Sequence, residues 1–189
     1  MQETFAQDED FEQLNYSSNT LKKEYENCHF KNCNFSNVLL PGTVFSECTF
    51  QDCDFSTAQL QKTAIRDCRF INCKMLGLRF EECETFLLSF SFESCDLSFS
   101  SFYQLKIPKT SFKNCKMAQV EFSRADCSGS DFYGVDFSNA SFGNTNLEKA
   151  DFRSASSFAI DPEQNRLAGA KFSQENLSGL LTKYKLKVY

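Results

Sequence analysis

Cysteine is the residue with the most obvious chemistry in this sequence, and it recurs at a fixed spacing. The stretch CHFKNCNFSN, residues 28–37, places Cys28 and Cys33 five residues apart, each followed two residues later by phenylalanine. Ten cysteines could hold zinc, form disulfides or supply a nucleophile. Zinc ligands are usually spaced by about two to four residues and close with four ligands. The spacing of five therefore argues against a metal site.

A catalytic site is equally hard to assemble from these residues. His29 is the only histidine, and no nucleophile, base and orienting group recur around it in a catalytic pattern. The sequence has neither a Walker loop nor a glycine-rich dinucleotide fingerprint. We therefore predict that the protein is not an enzyme, and that it has no catalytic residue, no metal and no cofactor.

The apolar residues explain the spacing better than any site does. Over residues 30–80, and again over residues 87–152, every fifth position is almost always large and apolar. A helix would smear this pattern around its cylinder, and a straight strand would send successive members to opposite faces. The chain must therefore turn once in every five residues, and pairs such as Pro41-Gly42 supply the turn chemistry.

The cysteines also reveal a longer period of 20 residues. They occupy a second, smaller slot two residues before the large apolar position, which they share with Ala, Val, Thr and Ser. Buried cysteine packs as a small hydrophobe, so four repeats per coil would stack these thiols inside a four-sided solenoid. A two-residue insertion within CETFLLSF, residues 83–90, should bulge without ending the stack. One predicted internal column contains Cys33, Cys53, Cys73, Cys95 and Cys115.

These repeats carry a family resemblance. CHFKN-CNFSN, CTFQD-CDFST and VDFSN-ASFGN-TNLEK-ADFRS resemble the pentapeptide-repeat proteins over about residues 25–155. The resemblance implies an all-β solenoid, a right-handed quadrilateral β-helix. We expect three segments: an acidic N-terminal cover at 1–24, the β-helix at 25–157 with its junction near 81–90, and a C-terminal cap and dimerisation segment at 158–189.

The C-terminal segment leaves the repeat and has a helical pattern. Ser173 is a plausible N-cap, and four apolar residues follow at i, i+3, i+4 and i+7, which is typical of an amphipathic α-helix. A short alternating strand comes after it. The simplest interpretation is a cap on the last coil, and we also expect this surface to join two copies as a homodimer. The predicted dimerisation residues are Leu177, Leu180, Leu181, Tyr184, Leu186 and Val188.

This tail sharpens the resemblance to the quinolone-resistance (Qnr-type) pentapeptide-repeat proteins. Those are rod-shaped dimers joined at their C-terminal ends, which imitate DNA and bind DNA gyrase and topoisomerase IV. The resemblance implies a type II topoisomerase as the protein partner, with altered fluoroquinolone sensitivity. This chain lacks the long loops that project from many Qnr coils.

Outward carboxylates are the candidate contact residues. An Asp or Glu often stands just before the central apolar residue, where the solenoid points it to solvent. This acidity either suits the motif or forms a surface that imitates phosphate rows. Bases at Lys62, Arg66, Arg69, Lys74 and Arg79 form a separate contact patch or serve solubility. The alternative function is a scaffold for another partner. The predicted partner-binding residues are Glu121, Asp126, Asp131, Asp136 and Asp151.

Composition and charge indicate the binding partners and the cellular location that the protein can have. The formal net charge of −5 argues against direct nucleic-acid binding. No run of about 18 apolar residues is present to span a membrane, and the acidic N-terminus lacks the features of a signal peptide. We therefore predict a cytoplasmic protein with reduced thiols.

Overall fold

The computed structural model describes residues 4–186 and shows a stack of short parallel strands. Each strand is three or four residues long, because the chain turns at every corner of the coil. The strands are β1 (Phe5–Gln7), β2 (Asp10–Glu12), β3 (Glu24–Glu26), β4 (His29–Lys31), β5 (Val44–Ser46), β6 (Thr49–Gln51), β7 (Ala64–Arg66), β8 (Cys68–Ile71), β9 (Phe90–Glu93) and β10 (Ser111–Lys113).

The strands form two sheets on neighbouring sides of the coil. The six-stranded sheet, in the order β10-β9-β8-β6-β4-β2, is called side A here, and the four-stranded sheet, in the order β1-β3-β5-β7, is called side D. Sides B and C follow side A along the chain and pair through single bridges, such as Asn34 with Asp54 on side B and Leu39 with Gln59 on side C. All pairs are parallel, so the predicted four-sided β-helix is confirmed.

The corners explain why the period is five. The second residue after most of the central apolar residues adopts a left-handed backbone conformation, for example Asn32 (φ 54°), Asn37 (φ 58°) and Gly42 (φ 68°). This conformation turns the chain, and it is least costly for glycine, asparagine and aspartate. The turn residues noted in the sequence therefore set the shape of the coil.

Phenylalanine fills the core as a continuous column on side A. Successive rings stack with centroids 4.8 to 5.4 Å apart, and neighbouring columns meet them edge to face, as Phe45 meets Phe50. The column accounts for much of the phenylalanine content. Its members are Phe11, Phe30, Phe50, Phe70, Phe92, Phe112, Phe132, Phe152 and Phe172.

The predicted cysteine column is also confirmed. The five cysteines are all buried: Cys33, Cys53, Cys73, Cys95 and Cys115. The backbone carbonyl of each one accepts a hydrogen bond from a backbone N–H on the next coil, as the Cys33 carbonyl does from the N–H of Asp54. The Cys73 N–H also donates to the Cys95 Sγ at 3.4 Å. The thiols therefore lie above one another between coils.

The register changes at the junction between the two series of repeats. Ala64 bridges Glu84, an offset of 20, whereas Cys68 pairs with Phe90, an offset of 22. The extra residues lie in the intervening turn, after a short 3-10 helix at Phe80–Glu82. This turn exposes Phe86 and Leu87, and stacking continues on both sides of it.

Coil pairing extends beyond the recognisable repeats at both ends. At the N-terminus, β1 pairs with β3 and β2 with β4, with an offset of 19 residues rather than 20. At the C-terminus, Asp151 bridges Lys171. The division of the chain into three segments remains a prediction, with the bounds 1–24, 25–157 and 158–189.

The predicted C-terminal helix is present, with 3-10 rather than α-helical turns. It consists of Gln174–Leu180 and Thr182–Tyr184. Gly179 packs against Phe158, and the Asn176 side chain donates to the carbonyls of Phe152 and Ala155 at 2.8 and 3.0 Å. The segment therefore lies across the last coil. No helix within residues 4–186 is long and apolar enough to cross a membrane.

Candidate partner-binding surfaces

The interior of the coil between residues 40 and 80 has no room for a ligand. Between the aromatic columns from Leu40 to Phe80 the free space amounts to only about 10 Å³, which is no more than one water molecule needs. Any binding must therefore use the outer surface.

The five predicted contact carboxylates hold the turns that follow them. Each accepts a hydrogen bond from the backbone N–H two residues later. The distances run from 2.6 Å, for Ser123 N–H to Glu121, to 3.2 Å, for Ser138 N–H to Asp136. Asp126, Asp131 and Asp151 accept in the same way. All five are half-buried, so their position follows from the geometry of the repeat.

These carboxylates form a ring around the rod. The bridge pattern places Glu121 on side C, Asp126 on side D, Asp131 on side A and Asp136 on side B. Only Asp131 and Asp151 share a side, on adjacent coils. The structure therefore brings two of the five together, and the remaining three face other directions.

Basic residues alternate with the carboxylates along the rod. On side B the outward positions run Asp54, Lys74, Asp96, Lys116 and Asp136 on successive coils, and Lys116 Nζ lies 3.8 Å from Asp96 Oδ2. Unlike charges on adjacent strands attract one another. This side therefore presents a ladder of alternating charge and no continuous acidic stripe.

Asp151 is compensated on side A. Arg153 contacts it at 2.7 Å and Lys171 at 3.8 Å. The hydrogen bond from Arg153 lowers the pKa of the Asp151 carboxyl below its usual range. Burial raises the pKa of Asp126, but the hydrogen bonds from Ser128 and Asn146 outweigh it and leave the pKa lowered. Both groups carry a negative charge at neutral pH.

The predicted basic patch is spread around the rod. Lys62 and Arg79 belong to side C, and the other three bases lie one each on sides D, A and B, as their bridges and strands show. Arg79 pairs with Glu81 and Glu82 at 3.3 and 3.1 Å. The predicted patch consists of Lys62, Arg66, Arg69, Lys74 and Arg79. Because they lie on different sides of the rod, these residues do not form one contact surface.

The predicted dimerisation residues are largely exposed at the C-terminal end. Leu177, Leu181, Tyr184 and Leu186 are between 42% and 60% exposed, whereas Leu180 packs against the core. Val188 lies outside the described residues. Residues of this segment and of the turn at 153–159 together line an open cleft of about 790 Å³.

Ion pairs hold the end of the tail against the coil. Lys183 Nζ lies 2.7 Å from both Asp161 and Glu163, and the Tyr184 hydroxyl donates to Glu163 at 3.1 Å. These contacts therefore fix the position of the exposed apolar side chains of the C-terminal segment.

Several exposed aromatic residues escaped the sequence analysis. Phe86, Phe99 and Tyr133 are 57% to 67% exposed. Phe99 and Tyr133 occupy outward positions where most repeats have small polar or charged residues, and that contrast could have identified them. Arg66 lies beneath the junction turn, with its guanidinium carbon 6.0 Å from the Phe86 ring centre.

The cysteines and the histidine lie apart from one another. All ten thiols are buried, whereas His29 points outward from β4. Burial, reinforced by Glu81 and Glu82, raises the pKa of Cys83 to about 12. Within residues 4–186, no three His, Cys, Asp or Glu side chains are grouped as a metal site would require.

Comparison with known proteins identifies the same architecture. No curated protein matches the sequence. Among solved structures, a trypsin-treated single-residue variant of QnrB1, described as a plasmid-mediated fluoroquinolone resistance protein, superposes with a TM-score of 0.64 at 20% identity, covering 99% of each chain. HetL, a pentapeptide-repeat protein involved in heterocyst differentiation regulation in the cyanobacterium Nostoc sp. strain PCC 7120, gives a TM-score of 0.72 at 16% identity, covering 92% of this chain and 88% of HetL.

The family assignment comes from the sequence itself. The family model described as a pentapeptide repeat region matches residues 23–90, 43–111 and 86–156. These matches overlap and together span most of the coil. With the five-residue corners and the stacked phenylalanines, they show that the chain belongs to the pentapeptide-repeat family.

Proposed function

We propose that this protein is a non-enzymatic rod that binds another protein through its outer surface. The filled interior carries this proposal, because it leaves only the four sides and the two ends for recognition. The similarity of the whole fold to QnrB1 and HetL supports it. The rod would act in the cytoplasm, where its thiols stay reduced.

The proposed partner is a type II topoisomerase, DNA gyrase or topoisomerase IV. The similarity to a fluoroquinolone resistance protein over 99% of both chains motivates this choice. In this proposal the ring of Glu121, Asp126, Asp131 and Asp136, with Asp151, imitates DNA phosphates. Side chains on adjacent coils would lie about 4.8 Å apart, which is comparable with the rise of about 3.4 Å per phosphate along one DNA strand.

A scaffold with some other protein partner is the second candidate. The alternating charges on side B and the compensation of Asp151 favour it, since a DNA mimic gains most from an uninterrupted acidic surface. A scaffold needs only complementary local contacts. HetL, which is similar in fold, is described as involved in the regulation of differentiation.

We also propose that two copies join through their C-terminal ends. The exposed residues Leu177, Leu181, Tyr184 and Leu186 lie together on this segment, and such a joint would bury them. A dimer would present the carboxylate ring on both sides of the joint.

A supercoiling assay with purified gyrase, with and without ciprofloxacin, tests the topoisomerase proposal. We expect dose-dependent inhibition of supercoiling, or relief of drug-stabilised cleavage. The double change Asp131→Asn and Asp151→Asn should weaken the effect, because it removes charge and keeps size. The matched control is Asp52→Asn and Asp67→Asn, which removes two exposed carboxylates from earlier coils. If the protein binds neither gyrase nor topoisomerase IV at low salt, and its overexpression does not change drug sensitivity, the scaffold proposal replaces the topoisomerase proposal.

A further inference from the structure

Four basic side chains surround a recessed part of side A in the second half of the rod. Lys109 and Lys113 belong to one coil, and Lys149 and Arg153 to the coil two steps further on; these four residues are called the basic frame here. The bridges Ser111–Asp131 and Asp131–Asp151 set this alignment. Coils are about 4.8 Å apart, so the two pairs are separated by about 10 Å along the rod.

The coil between them is recessed because it has glycine at both corners. Gly129 and Gly134 both have φ of 68°. The stem of Lys109 lies across Gly129, with Cγ 3.4 Å from the position of an added Cβ, and the side chain of Asn114 lies against Gly134. A groove of about 560 Å³ begins at this coil, and Tyr133, Lys149, Arg153 and Lys171 line it together with Asp131 and Asp151. Lys109 and Lys113 belong to the preceding coil and do not line the groove.

The charge inside the frame is positive, although the protein as a whole is acidic. Lys109, Lys113 and Lys149 have no carboxylate oxygen within 4.0 Å among the described residues. With Arg153 and Lys171, the five cations face three carboxylates, Asp131, Asp151 and Glu93, the last of which lies opposite Lys113 on the neighbouring strand. The local charge is therefore +2. Asp131 lies at the centre of the frame, and Tyr133, exposed at 57%, adds a hydroxyl donor at the edge, between Lys113 and Arg153.

We propose that the basic frame binds a short acidic segment of a protein partner. Carboxylates of that segment would contact Lys109 and Lys149 at one edge, and Lys113 and Arg153 at the other edge, where Tyr133 lies between these two. In an extended polyproline-type chain, residues three apart lie on the same side and about 9 Å apart. This spacing matches the separation of the two basic pairs.

The surrounding charges favour a short peptide over a nucleic acid. A polynucleotide would extend past the two-coil frame and meet Asp126 on side D and Asp136 on side B, whose charges repel phosphates. The carboxylate of Asp131 inside the frame opposes a dense phosphate backbone for the same reason. A few carboxylates on a peptide can remain within the frame.

Fluorescence anisotropy with a fluorescein-labelled hexaglutamate peptide tests the proposal. The intact protein should bind this peptide at low salt, lose affinity as salt screens the contacts, and bind hexaglutamine far more weakly. Changing Lys109→Gln together with Lys149→Gln should weaken binding about fivefold to tenfold, as two exposed charge pairs are lost. The charge-preserving change of both lysines to arginine should retain binding.

A control variant and a competing ligand decide the outcome. Lys31→Gln together with Lys62→Gln removes two exposed cations outside the frame and should leave affinity unchanged. Equal affinity of the frame variant and the unchanged protein would overturn the proposal. So would tighter binding of oligothymidylate than of hexaglutamate through the same lysines, which would assign the frame to single-stranded nucleic acid.

The single change Asp131→Asn separates this inference from the proposed function. It removes a repelling charge from the frame, so hexaglutamate should bind more tightly. The DNA-mimic proposal predicts weaker binding of a topoisomerase by the same variant. Each proposal can therefore fail without the other, and weaker hexaglutamate binding by Asp131→Asn would contradict the basic frame.

Discussion

Each central side chain supports the coils above and below it as well as its own. Phe55 illustrates this: its ring stacks on Phe35 with centroids 4.5 Å apart and an interplanar angle of 4°, and it meets Phe50 and Phe70 edge to face. Edge-to-face and offset-stacked pairs each add to the gain from burial. Removal of one ring therefore disturbs several coils.

Replacement of Phe55 by Ala should lower the free energy of unfolding by about 3–5 kcal/mol, because it leaves a cavity in a closely packed core. Phe86→Ala is the matched control: this ring is 67% exposed, and its loss should cost less than about 0.5 kcal/mol. Urea denaturation of both variants measures the difference. A similar cost for the two changes would contradict the role of Phe55 in the stack.

At the scale of the element, the five-residue side combines an inward pair of residues with a left-handed corner. The sequence predicts this unit well, because every coil imposes the same steric demands, and Phe30, Cys33 and Gly42 lie where the period places them. The sequence analysis did not predict the compensation of Asp151, since Lys171 reaches it from the next coil and Arg153 folds back onto it from two residues along the same coil. The α-helical pattern at Leu177 and Leu181 also did not reveal that Gln174–Leu180 and Thr182–Tyr184 form 3-10 turns.

The corner at Gly134 should tolerate substitution less well than the corner at Gly42. Both glycines have φ of 68°, but an added Cβ would collide with Asn114 at Gly134 and meets no atom within 4 Å at Gly42. Alanine in a left-handed conformation costs about 1–2 kcal/mol, so Gly42→Ala should lose about that amount and Gly134→Ala more. Thermal unfolding compares the two. A loss at Gly42 equal to or greater than that at Gly134 would show that Asn114 moves aside freely.

At the scale of the whole molecule, the two ends of the rod differ in how they are finished. Among the described residues, β1 and β2 are the edge strands at the N-terminal end, where charged residues such as Asp10 and Glu12 discourage pairing with another chain. The C-terminal end is covered by a segment that itself exposes leucine and tyrosine. The asymmetry favours association through the C-terminal end alone, which gives a closed twofold dimer rather than a filament.

Leu181→Asp tests that dimer directly. Leu181 is 42% exposed in the single chain, so aspartate there can stay hydrated and the coil should remain folded. In a dimer the same charge would be buried without a partner, which is costly, and the variant should sediment as a monomer. Leu39→Asp is the control, because Leu39 is 57% exposed on side C, away from the tail, and this variant should remain dimeric. If the unchanged protein sediments as a monomer at tens of micromolar, the dimer proposal is wrong. If the Leu181→Asp variant is dimeric, the dimer interface lies elsewhere on the rod.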